Sequence, residues 1–67
     1  MSTVTVSARG EDRIRNGHPW IYRSDVVDVD AEPGDAVRVI GPRGRPIGSA
    51  LYSSQSEIAL RLVDHGG

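Results

Sequence analysis

Gly17-His18-Pro19-Trp20-Ile21-Tyr22 is the stretch on which the reading of this 67-residue chain turns. Gly17 supplies the left-handed position that commonly ends a helix. Pro19 holds His18 extended, because the residue before a proline is pushed away from helical torsions. The chain therefore leaves a short helix directly into a strand through Trp20, Ile21 and Tyr22. Trp20 carries unusual weight, because the sequence has no Phe, one Trp and two Tyr. It is either the anchor of a small core or a platform on the surface, and its place between Pro19 and apolar Ile21 favours partial burial.

Upstream of this stretch, Ser2-Thr3-Val4-Thr5-Val6-Ser7 alternates and is β-branched, the pattern of a half-buried strand with Val4 and Val6 inward. From Arg9 to Asn16 the pattern becomes helical, with Glu11 and Asp12 early and Arg13 and Arg15 late, as the helix dipole favours. Downstream, Glu32-Pro33-Gly34-Asp35 has Pro and Gly at the centre of a type II turn. Ala36 to Ile40 then alternates, with Val37 and Val39 on one face. Gly41-Pro42-Arg43-Gly44 predicts a type I turn closed by a glycine bulge, and Arg45 starts the return strand through Ile47, Ser49, Leu51 and Tyr52. Glu57 to Val63 is the last strand. The expected architecture is mainly β, a bent or closed sheet of five or six short strands with one short helix, since open edges in so small a sheet invite pairing. Residues 1–63 make up the domain, and 64–67 begin a linker.

A chain of this length is one small domain near the lower limit for a core without metals or disulfides. It has no Cys, which excludes thiolate metal sites and thiol nucleophiles and fits a reducing compartment. No apolar run approaches the roughly 18 residues of a membrane span, and no signal peptide opens the sequence; a cytoplasmic protein without membrane contact is expected. Net charge is −1, but it is segregated. Residues 9–23 set four Arg against Glu11 and Asp12, residues 24–35 carry five acids and no base, and residues 36–67 set four Arg against Glu57 and Asp64. Every base is Arg, which suits planar recognition of phosphate and equally reflects coding bias.

Much chemistry is missing. No glycine-rich loop is expected between a strand and a helix, so a nucleotide cofactor has no cradle. His18 and His65 stand apart without Cys, which argues against zinc. Asp28-Val29-Asp30-Ala31-Glu32 imitates the start of a calcium loop, but Pro33 and Val39 occupy the positions that need Gly and Glu; a solvated acidic loop is expected. Nucleophilic catalysis by Ser53, Ser54 or Ser56 would need a nearby base and an orienting acid, and only His18 could serve. Neither a metal, a cofactor nor catalysis is expected of this chain alone.

The string from Gly10 to Tyr22, Pro33-Gly34-Asp35 before a Val-rich strand, Gly48 to Tyr52, Ser54-Gln55-Ser56 and Ala59-Leu60-Arg61 together resemble the N-terminal PUA-like domain of bacterial large-subunit ribosomal RNA methyltransferases. The resemblance covers nearly the whole chain, with Gly17-His18-Pro19-Trp20 its most specific piece. It implies a compact PUA-like pseudobarrel that binds structured RNA, 23S rRNA in this family. It also implies a longer polypeptide whose catalytic domain uses S-adenosylmethionine to methylate cytosine at carbon 5. The resemblance also places the helix on the RNA-facing side.

On that basis Arg9, Arg13 and Arg15 are candidate phosphate contacts, against the alternative of dipole compensation and pairing with Glu11 or Asp12. Trp20 is a candidate for stacking a base, against burial in the core. His18 is a candidate RNA contact, against a backbone hydrogen bond at the strand entrance. Arg43 and Arg45 could reach phosphate from the hairpin tip, or serve solubility. Tyr52 and Arg61 remain open. Two functions follow: an RNA-docking module, or a structural or protein-interaction domain that uses the acidic segment 25–35.

Overall fold

The computed structural model describes residues 2–64. The elements run β1 (Thr3–Val6), α1 (Ala8–Arg15), β2 (Trp20–Tyr22), a 3₁₀ turn (Arg23–Asp25), β3 (Val26–Asp30), β4 (Ala36–Ile40), β5 (Pro46–Tyr52) and β6 (Ile58–Asp64). The strands form one six-stranded sheet in the order β2-β6-β5-β4-β1-β3. β1 and β4 pair in parallel, and every other pairing is antiparallel.

This order forces closure. β2 and β3 lie at opposite edges, which in a flat sheet would be about 24 Å apart at the usual strand spacing. They are nevertheless joined by the three-residue 3₁₀ turn, and a chain of that length reaches at most about 14 Å. The sheet must therefore curl until its edges approach, which is the expected pseudobarrel. Hydrogen bonds hold the turn at the seam. The Ser7 N–H donates to the Asp25 carbonyl at 2.8 Å, and the Arg23 N–H donates to the Glu57 carbonyl at 2.8 Å. Arg23 also reaches across with Nη2 to the Ser54 carbonyl at 2.8 Å.

Both turns expected around β4 are present. The Asp35 N–H donates to the Glu32 carbonyl at 3.0 Å, and the Gly44 N–H to the Gly41 carbonyl at 3.0 Å. Helix α1 starts one residue earlier than expected, because the Ser7 hydroxyl accepts from the Gly10 N–H at 3.1 Å and caps it. It also ends one residue earlier, at Arg15, with the expected glycine just beyond. Gly17 has φ of +90°, and the N–H groups of Gly17 and His18 donate to the carbonyls of Ile14 and Arg13, both at 3.0 Å, closing the last turn in the Schellman manner.

The core consists of Val4, Val6, Ile14, Ile21, Val37, Val39, Ala50, Ala59 and Leu60. No aromatic ring is among them. Trp20 is 41% exposed, which corrects the expectation of burial. The reason is the pleat: strand side chains alternate, and because Ile21 is fully buried, its neighbours Trp20 and Tyr22 both point outward. The acidic segment is also corrected. Instead of a loop, Val26–Asp30 forms β3, paired with β1 from Thr3↔Asp30 to Val6↔Val26, with Asp28 and Asp30 exposed. β6 runs through Asp64, which pairs with Ser49, one residue past the expected domain boundary. The rest of the expected linker lies outside the described residues.

Candidate nucleic-acid interface

The three arginines of α1 sit in three different settings. Arg15 follows Glu11 by one helical turn, and its Nη2 lies 2.7 Å from Glu11 Oε2. Arg13 turns inward: its Nε lies 3.3 Å from Oδ2 of Asp25, a carboxylate that is only 6% exposed. That contact is between opposite charges without the alignment of a hydrogen bond, since the buried Nε has no hydrogen-bond partner. The Arg13 guanidinium carbon also lies 6.0 Å from the centroid of the Tyr22 ring, within cation–π range. Arg9 is exposed and forms no ion pair among the described residues.

What the fold does bring together is Arg15 and the hairpin tip. A cleft of about 350 Å³ lies between α1 and the β4–β5 turn, with Glu11, Asp12 and Arg15 on one side and Pro42, Arg43 and Arg45 on the other. Glu11 sits against the hairpin at Gly41, where a Cβ would fall 2.5 Å from its Oε1 and push that flexible carboxylate aside. Glu11 is occupied by Arg15, whereas Arg43 and Arg45 are exposed and unpaired with any carboxylate among the described residues. Their N–H donors are available in the planar arrangement that meets a phosphate on two oxygens. Asp12 limits the excess of positive charge in the cleft.

A second surface lies on the outside of the barrel. In register across β2, β6, β5 and β4, Trp20 faces Arg61, Arg61 faces Leu51 and Leu51 faces Ala36, all exposed. Sequence reasoning left Arg61 open and did not single out Tyr22; period-two alternation about Ile21 was the signal that both aromatic rings face the same way. His18 is exposed in the connection before β2, and its backbone N–H makes the bond to Arg13 already described.

Ser7 alone joins β1 to α1, a shorter connection than the glycine-rich strand-to-helix turn that cradles nucleotide cofactors in other folds. No described helix is long and apolar enough to cross a membrane.

The family of PUA-like domains matches the chain over residues 4–65. A ribosomal RNA large subunit methyltransferase from Deinococcus radiodurans is 38% identical over 94% of this chain and 16% of its own length. Ribosomal RNA large subunit methyltransferase I from Alteromonas mediterranea is 32% identical over 92% of the chain and 16% of the relative. The chain thus spans about a sixth of the length of these relatives. Among solved structures, a protein from Streptococcus mutans described as a SAM-dependent methyltransferase superposes with a TM-score of 0.80 at 16% identity, over all of this chain and 18% of that one, a likeness of fold.

Proposed function

Because this chain belongs to the PUA-like domain family, we propose that it is an RNA-docking module. The observation that carries the reading is the cleft between α1 and the hairpin, where Arg43 and Arg45 offer guanidinium groups that form no ion pair among the described residues. Phosphate contacts of this kind set the register of a protein on RNA without reading sequence. Arg9, in the first turn of α1, and His18, just past its end, are exposed and extend the contact; Arg15 contributes by exchanging Glu11 for phosphate.

In a longer protein like its relatives, the module would hold structured 23S rRNA for a catalytic domain of the same polypeptide. S-adenosylmethionine would bind in that domain, the reaction would be methylation of cytosine at carbon 5, and the place would be the cytoplasm. The residues of this chain would take no chemical step.

The test is an amide-shift titration with an RNA hairpin at low salt. Perturbations at residues 9–18 and 41–45 that vanish in an Arg43→Glu, Arg45→Glu variant are expected. A silent spectrum with RNA, together with shifts of β3 on adding a basic protein, would transfer the function to the acidic edge.

A further inference from the structure

β2 is an edge strand, and it turns two aromatic rings to solvent: Trp20 is 41% and Tyr22 38% exposed, while Ile21 between them is buried. Alternate residues of a strand stand about 6.7 Å apart. Successive bases in a stacked helix are only about 3.4 Å apart, so this pair is mismatched to a duplex and suited to a strand whose bases have been drawn out of their stack. Arg61 lies directly across from Trp20 on β6. Cross-strand neighbours of this kind are about 5 Å apart, close enough for a guanidinium to meet the phosphate of a nucleotide whose base lies on the indole.

Tyr22 is organised for the same purpose. Arg13, held by Asp25, lies over its ring and occupies one face, which leaves the other to a ligand. Glu57 lines a shallow hollow with Tyr22, Arg23 and Ser24. Flat rings bordered by guanidinium groups complement a polyanion that carries flat bases, which is how unpaired nucleotides are held.

We infer that β2 is a stacking platform for two unpaired nucleotides, one base on Trp20 and the next on Tyr22, with the phosphate beside Trp20 held by Arg61. The inference rests on the RNA-docking reading and adds the class of RNA that this face takes. Duplex contacts belong to Arg43 and Arg45, and single-stranded ones to β2.

Trp20 is the only tryptophan of the chain, so its emission reports the contact directly. The 67-residue chain is titrated at low salt with hepta-uridine and, separately, with a blunt RNA duplex, while anisotropy of the labelled RNA follows binding. Saturable quenching by hepta-uridine and none by the duplex is expected. Trp20→Ala and Tyr22→Ala should each weaken hepta-uridine binding on the order of tenfold, Trp20→Phe less, and Arg61→Ala should lower both affinity and its salt dependence. Since Arg61 is exposed, that variant reads the contact independently of folding. If hepta-uridine binds without quenching and with unaltered affinity in Trp20→Ala and Arg61→Ala, the platform is wrong, even though duplex binding through Arg43 and Arg45 keeps the docking reading alive. Equal quenching by the duplex overturns the preference for unpaired bases. Failure of both RNAs to bind removes the docking reading as well.

Discussion

At the scale of single residues, the fold spends one of its arginines on its own closure. Asp25 ends the turn that joins the two sheet edges, and its carboxylate is buried against Arg13. Removing one member of such a pair leaves the other charge without compensation, which costs about 3–5 kcal/mol when both are fully buried. Arg13 is 36% exposed, so solvent screens it and the cost shrinks. Asp25→Asn is therefore expected to lower stability by about 1–3 kcal/mol, read as a lower urea midpoint with an unchanged slope. An unaltered midpoint would mean the pair contributes nothing. This contact was not legible in the sequence. Asp25 looks like any member of an acidic run, and only closure of the barrel, which brings the 3₁₀ turn under α1, selects it from Asp28, Asp30 and Asp35 for burial.

At the scale of elements, legibility followed locality. The α1 terminus at Gly17 and the turns at Glu32–Asp35 and Gly41–Gly44 are fixed by torsions and hydrogen bonds among near neighbours, so a few residues of sequence specify them. β3 was missed because its acids, Asp28 and Asp30, are the charges that protect an exposed edge from pairing with another chain, and the same charges read as a solvated loop. Trp20 is exposed because alternation about the buried Ile21 outranks the size of its side chain. β6 bears the consequence of a core without aromatic rings. Leu60 is fully buried between Ile21 and Tyr52 on the neighbouring strands, and its truncation to Ala should cost about 2–5 kcal/mol. A domain of this length has roughly 3–10 kcal/mol in total. Leu60→Ala should thus bring the chain close to unfolding in a thermal melt, whereas Val63→Ala, on the same strand but 62% exposed, should stay within about 0.5 kcal/mol of the parent. Equal effects at the two positions would contradict the inside-outside assignment of β6.

At the scale of the whole molecule, a net charge of −1 gives no general attraction to RNA, so any affinity must come from local arrangement. The acids are concentrated on β3 and its flanks, and two of the eight arginines are spent on ion pairs. Arg43, Arg45 and Arg61 remain exposed at places where a strand of RNA could meet them. Each phosphate neutralised releases condensed counterions, and the two duplex contacts of Arg43 and Arg45 give a slope of about −2 in a plot of log affinity against log salt. Arg45→Ala should make that slope shallower by about 1 and weaken all sequences alike, because a phosphate contact carries no base information. A slope near zero would mean that neither arginine meets a phosphate. A slope far steeper than predicted would mean that the paired Arg13 and Arg15 give up their carboxylates on binding, so that the ion pairs of the free module are a reserve of positive charge released by RNA.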